Sequence, residues 1–187
     1  MKITFFLSIM LLFLMTGTAR AAENPSTAHN ILIAYFSWSG NTRGIAETIH
    51  QRVGGDIFEI VPANPYPTSY RACVDLAAQE LRDQSRPPLA TRVEDMDRYD
   101  VIFLGYPNWW ASIPMPVATF LEAYDFSGKT IIPFCSHGGG NLGESISAIE
   151  KLAPQSTLSD ALAIRSGGGS VLQRDISEWL RRIGMEK

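Results

Sequence analysis

The chain has 187 residues, 45% of them hydrophobic, with 16 basic against 19 acidic side chains and a formal net charge of −3. That length supports one well-cored domain and is short for two, and the acidic balance argues against nucleic acid as a partner. Cys73 and Cys135 are the only cysteines, and without a C-x-x-C or a Cys/His cluster neither a metal site nor a dithiol redox motif is expected.

Lys2, the apolar run Ile3 to Met15 and the small-residue stretch Ala19-Arg20-Ala21-Ala22 read as a secretory signal spanning residues 1–21. The run is shorter than the roughly 20 apolar residues of a membrane span; the alternative is an uncleaved anchor. Cleavage after Ala21 removes Lys2 and Arg20 and takes the formal charge from −3 to −5. No arginine pair precedes the run, which favours the general export route, and no cysteine at the cleavage site indicates a lipid anchor. The expectation is an exported bacterial protein, periplasmic or secreted, with no stable membrane insertion once the signal is gone. Export permits a Cys73–Cys135 disulfide, but nothing in the sequence brings the two together, and buried free cysteine is ordinary packing. Residues 22–30 form a short polar leader, and residues 31–187 form the domain.

The domain opens on Ile31 to Phe36, a continuous apolar strand. Ser37-Trp38-Ser39-Gly40-Asn41-Thr42 follows, and then a helix with Ile45, Ala46, Ile49 and Val53 on one face. Gly54-Gly55 ends that helix, and Asp56 to Val61 reads as the second strand. After Pro62, Pro65 and Pro67, a second helix carries Tyr70, Cys73, Ala77 and Leu81 until Arg86-Pro87-Pro88 stops it. The third strand is expected at Val101 to Leu104, with Gly105 to Trp110 as its turn, and the third helix carries Val117, Phe120, Leu121 and Tyr124. Thr130 to Phe134 is the fourth strand, Ser136 to Gly140 its loop, and Ile146, Ile149 and Leu152 mark the fourth helix. Ala161 to Ile164 is the fifth strand, Gly167 to Gly169 its turn, and Leu172, Ile176, Trp179, Leu180 and Ile183 the last helix. Five strands alternate with five helices, and several strands are apolar throughout. This is the pattern of a three-layer α/β fold, a doubly wound five-stranded parallel sheet covered on both faces.

In such a sheet ligands sit beyond the carboxyl ends of the strands, which brings three loops into play. A strand feeding Ser37, Ser39, Gly40 and Thr42 at a helix start makes an anion site. The first helical N–H groups have no internal partner, the dipole adds positive charge, and glycine permits close approach. The same residue types also serve as plain N-caps. Trp109 and Trp110 either plug the protein surface or form a platform for a flat ligand. Ser136-His137-Gly138-Gly139-Gly140 either exposes backbone groups to a planar ring edge or is a flexible helix entry, and His137 either meets that edge or is incidental.

A phosphate loop, an aromatic wall and a glycine loop fit a phosphorylated flat heterocycle, and here the sequence resembles the flavodoxin family. Ser37-Trp38-Ser39-Gly40-Asn41-Thr42 matches that family's phosphate-loop pattern, and Gly105-Tyr106-Pro107-Asn108-Trp109-Trp110 and Ser136-His137-Gly138-Gly139 look like its two flavin-flanking loops. The Trp-Trp version, with Pro114 or Pro116 and then Phe120-Leu121, is most similar to the flavodoxin-like branch found in many bacteria. The resemblance covers Ile31 to Ile183. It implies strand order 2-1-3-4-5 in the short-chain form, and noncovalent FMN with its phosphate on Ser37–Thr42. The ring would lie between the Trp109-Trp110 turn and the Ser136–Gly140 loop. An acidic protein around the ring would oppose added negative charge and lower its potential. The implied role is an electron carrier between redox partner proteins or a small donor and acceptor, with no catalytic side chain of its own. The alternative is an FMN-dependent NAD(P)H or quinone oxidoreductase, and a third reading is a domain that has lost the flavin. An export signal is a departure from the usual cytoplasmic flavodoxin.

Spacing excludes other chemistries on this architecture. A low-molecular-weight phosphatase needs arginine six residues after its cysteine, where Cys135 is followed by Asn141. A receiver domain needs an aspartate where Gly105 stands and an acidic pair where Ser37 stands. No G-x-S-x-G elbow is present.

Overall fold

The computed structural model describes residues 30–186. The expected signal at 1–21, most of the 22–30 leader and Lys187 lie outside the described residues. The sheet is parallel. β1 (Ile31–Tyr35) is flanked by β2 (Asp56–Glu59) and β3 (Val101–Pro107), and β3 is flanked in turn by β4 (Thr130–His137). The far edge of β4 is shared by two short strands, β5 (Thr157–Leu158) and β6 (Leu162–Arg165), giving the order β2-β1-β3-β4-β5 with β6 also on β4. This is the doubly wound, flavodoxin-like architecture expected from the sequence, with one correction. The fifth position is filled by two segments instead of one strand at Ala161 to Ile164. The ladder breaks over residues 159–161, although the Ser159 amide still donates to the Ile131 carbonyl at 3.0 Å.

Strand alternation sorts the core into two layers. Leu32 and Ala34 join Ile102, Leu104, Ile131 and Cys135 under α3 (Met115–Glu122) and α4 (Ser145–Leu152). Ile31, Ile33 and Tyr35 join Phe103, Ile132 and Phe134 under α1 (Asn41–Val53) and α5 (Leu172–Arg182). Period-2 side chains on a sheet buried on both faces require this division. α1 contributes Ile45, Ala46, Ile49 and Val53 at helical spacing, and α5 contributes Ile176, Trp179 and Leu180. α2 (Tyr70–Arg82) buries only Cys73, Ala77 and Ala78 and leaves most of its surface to solvent. Both cysteines are buried and free.

β3 and β4 each run three residues past their expected ends. Gly105, Tyr106 and Pro107, read from sequence as a turn, pair in register with Phe134, Cys135 and Ser136, and His137, read as loop, pairs with Arg165 of β6. Gly105 is needed there for space, because a Cβ on it would lie 2.2 Å from Phe134 Cζ. β2 is shorter than expected and ends at Glu59, with the Ile60 amide carrying one further bond to the Tyr35 carbonyl.

Candidate functional site

Three loops leave the carboxyl end of the sheet together. The first, residues 36–40, lies between β1 and α1. Ser37 Oγ accepts from the amides of Gly40 (3.2 Å) and Arg43 (3.3 Å), so this hydroxyl organises the loop from within. Gly40 has φ +88°, a left-handed conformation that side chains rarely adopt. A Cβ on Gly40 would meet nothing within 4 Å. The glycine is therefore required by the backbone, and the space above it is open. The amides of Ser39, Asn41 and Thr42 have no hydrogen-bond partner among the described residues. They are the orphan donors of a helix start. Arg43, the residue after Thr42, is engaged by the Tyr35 hydroxyl and by Glu59 Oε1 at 2.5 Å, which hold its pKa above the usual range. An anion in this loop would be met mainly by backbone N–H groups.

Thr42 does not face that opening. Its Oγ1 is buried and lies 2.9 Å from Ser136 Oγ, which ties the start of α1 to the end of β4. The sequence places Thr42 and Ser136 in one site, but their direct bond across 94 residues was not legible in it.

The second loop, after β3, carries Pro107, Asn108, Trp109 and Trp110. Trp109 and Ser112 exchange two backbone hydrogen bonds of 3.1 and 2.9 Å. Between them Trp110 and Ala111 both have left-handed φ, +52° and +60°. That is the pair of conformations a tight hairpin turn of the primed type requires, normally met by Asn-Gly. Strain of about 1–2 kcal/mol per left-handed residue is stored here. Trp109 packs edge-on against Phe36 (5.3 Å, 88°) and Tyr66 (5.0 Å, 77°). Trp110 is 55% exposed, and its indole N–H donates to the Val74 carbonyl at 3.1 Å. Trp38 is fixed in the same way, its N–H donating to the Pro67 carbonyl at 3.0 Å. The β2–α2 connection and α2 thus hold both indoles from behind.

Tyr66 deepens that support. Its hydroxyl donates to Glu80 on α2, and burial, followed by this bond, pushes its pKa well above the usual range. Burial likewise raises the Glu80 carboxyl, against the opposing effect of the Tyr66 bond. Sequence reasoning missed both residues; the aromatic at Tyr66 between two prolines was the signal available.

The third loop follows β4. Ser136 and His137 are its last strand residues, and Gly138, Gly139 and Gly140 are exposed. A Cβ on Gly138 or Gly139 would meet nothing within 4 Å. His137 Nδ1 is buried without a hydrogen-bond partner. The second and third loops touch. The Asn108 amide donates to the Asn141 carbonyl at 2.5 Å, the Glu144 amide donates to the Ala111 carbonyl at 2.6 Å, and the Asn108 backbone amide donates to the Ser136 carbonyl at 2.8 Å. The two loops therefore form one continuous rim instead of two separate walls. Beside the rim, on the α2 side of the tryptophan turn, lies a cleft of about 270 Å³. Among the described residues no cluster of three or more His, Cys, Asp or Glu side chains is placed to hold a metal ion.

A family model described as flavodoxin matches residues 30–183. The chain belongs to the flavodoxin family. The flavodoxin-like geometry extends to solved structures. A proposed flavoprotein from Bacteroides eggerthii shares 32% identity with a TM-score of 0.74, covering 84% of this chain and 99% of its own. A second from Bacteroides uniformis shares 29% identity at the same TM-score, covering 82% and 98%. A flavoprotein from Lactobacillus acidophilus, solved in complex with FMN, shares the fold at 22% identity and a TM-score of 0.64, covering 81% of this chain and 98% of its own. A comparison with curated proteins finds no match.

Proposed function

We propose that this flavodoxin binds FMN noncovalently and passes electrons between redox partners outside the cytoplasm. The observation that carries the cofactor assignment is the first loop. Gly40 is held at φ +88° beneath open space, and the amides of Ser39, Asn41 and Thr42 are free to donate. A phosphate monoester fits such a cradle, where unpartnered amides and the helix dipole converge. The Lactobacillus acidophilus flavoprotein, solved with FMN, is consistent with that ligand.

When bound, FMN supplies the electron chemistry; the chain's own groups bind, orient and shield it. Ser37, Trp38, Ser39, Gly40, Asn41 and Thr42 hold the phosphate; Ser37 accepts two loop amides with its own proton left to donate, and Thr42 ties the loop to Ser136. The ring lies along the rim that Pro107, Asn108, Trp109 and Trp110 share with Ser136, His137, Gly138 and Gly139. Trp109, braced by Phe36 and Tyr66, offers a rigid aromatic surface. Backbone groups of the exposed glycine loop meet the polar ring edge. Export rests on the signal-like pattern of residues 1–21, and the partners are redox proteins or a small donor and acceptor.

The test is titration of the purified mature protein with FMN, followed by quenching of flavin fluorescence. Saturable one-to-one quenching is expected. Its absence in correctly folded protein would end the cofactor assignment, and the carrier role with it.

A further inference from the structure

A second cleft, of about 310 Å³, opens between the end of α2, the start of α3 and one face of α4. None of its lining residues belongs to the loops assigned to FMN. We propose that it binds a short free peptide of about three residues, with the ammonium end at Glu144, the carboxylate end at Lys151 and an apolar side chain between them.

Charge sets the two ends. Glu144 stands at the N-cap of α4 and Lys151 in its last turn; both are exposed, and both line the cleft. Two helical turns separate them, which returns the helix to the same face about 10 Å further along its axis. Neither takes part in a salt bridge among the described residues. The remaining charge on the cleft wall is already spent. Arg86 forks onto Glu122 through two bonds of 2.7 Å, and its Nη1 donates to the Gln84 and Ser85 carbonyls. One carboxylate and one ammonium are left, and they call for a ligand that carries both signs. An extended peptide of three residues spans about 10 Å, the separation of the two groups along α4.

The rest of the lining suits what lies between those ends. Ile113, Met115 and Leu152 make an apolar floor, and the flexible methionine adapts to side chains of different shape. The Gln84 side-chain amide donates to the Leu81 carbonyl at 2.9 Å, which fixes it and leaves its oxygen to accept. The Ser112 hydroxyl can donate. One acceptor and one donor form the set that a peptide unit requires. The volume lies at the low end of the range of about 300–1,000 Å³ common for small-molecule pockets, which favours a compact ligand.

The test is titration of the isotope-labelled mature protein with the tripeptide Gly-Leu-Gly, followed through its amide chemical shifts, with and without saturating FMN. Saturable shifts at Ser112, Glu144, Ser147 and Lys151 are expected in both, with the amides of Ser39, Asn41 and Thr42 unmoved in the flavin-free protein. Acetylating or amidating the peptide should weaken binding about twofold to fivefold, the weight of an exposed ion pair. Glu144→Gln should weaken the free peptide equally and bind the acetylated peptide as wild type does. Lys151→Gln should do the same with the amidated peptide. Ala148→Phe, which fills the cleft from α4, should weaken binding at least about tenfold. Ser147→Phe, on the same half-buried face, makes this test if Ala148→Phe does not fold. The ω-amino acid of octanoic acid has a similar charge separation and no peptide group, and should bind at least about tenfold more weakly than the peptide. Absence of saturation by about 10 mM peptide, shifts centred away from these four residues, or competition with FMN would overturn the proposal. So would equal binding of the doubly blocked peptide or of the ω-amino acid, or indifference to the filling variants. Failure of FMN to bind would leave this site standing and remove the cofactor assignment alone.

Discussion

Gly40→Ala separates backbone strain from ligand contact. At φ +88° an alanine costs about 1–2 kcal/mol in backbone energy. Its Cβ meets no protein atom within 4 Å, so packing adds nothing. For a domain of this size, 1 kcal/mol corresponds to about 2–4 °C in Tm, so the flavin-free variant should melt about 2–8 °C lower. The added methyl, however, occupies the opening into which the orphan amides point. Loss of one hydrogen bond to a charged group is worth about 1.5–3 kcal/mol, and each 1.4 kcal/mol is tenfold in Kd. FMN should therefore bind about 10- to 100-fold more weakly. Riboflavin, which lacks the phosphate, should bind wild type and variant alike. The assay is fluorescence titration of both flavins alongside thermal unfolding of the flavin-free protein. The expected drop in Tm with FMN affinity unchanged within twofold would refute the phosphate assignment. Equal weakening of riboflavin would show that the substitution disturbs the whole site.

Trp109→Ala should weaken FMN binding by about twofold to tenfold through lost stacking, measured by the same titration; unchanged affinity would place the ring elsewhere. Thr42→Val strands the buried Ser136 hydroxyl and should cost about 1–3 kcal/mol, read as a lower urea midpoint. Gly105→Ala forces a Cβ to within 2.2 Å of Phe134 Cζ and should cost about 1–3 kcal/mol or more by overpacking, read in the same way. Glu80 has a raised folded pKa, so the folded state holds its proton more tightly than the unfolded chain. Its contribution to stability is greatest below the unfolded carboxyl pKa and is lost as pH rises through the folded value. Glu80→Gln keeps an acceptor for Tyr66 and removes the buried charge. The variant should gain stability relative to wild type on going from pH 4 to pH 7, measured by denaturant midpoints at both values.

Several features of the fold were legible because one residue type decided them. The short, unbroken Ile31 to Phe36 run, ended by a hydroxyl- and glycine-rich turn, read as a strand buried on both faces, and the spacing of Ile45, Ala46, Ile49 and Val53 read as one face of a helix. Glycine and proline misled at the ends of β3 and β4. Gly105 and Pro107 look like turn residues, yet Gly105 is in the strand because Phe134 fills the place of its side chain. The split of the fifth position was hidden because Thr157-Leu158 is too short to show a period. In the site, the three loops could be read from their composition. Their joining through Asn108, the strained Trp110-Ala111 turn and the bracing of Trp109 by Tyr66 and Glu80 depend on contacts distant in sequence, which local pattern does not encode.

The bond between Thr42 and Ser136 also bears on the order of assembly. α1 can form early from local contacts, but the hydroxyl that anchors its first turn waits for β4, 94 residues further along the chain. Long-range contacts of this kind form late because loop closure must precede them. The anion loop therefore acquires its final shape only when most of the sheet is in place. A half-folded chain has the right residues for phosphate but not the right geometry, so on the proposed assignment capture of FMN is a late step that reports completed folding.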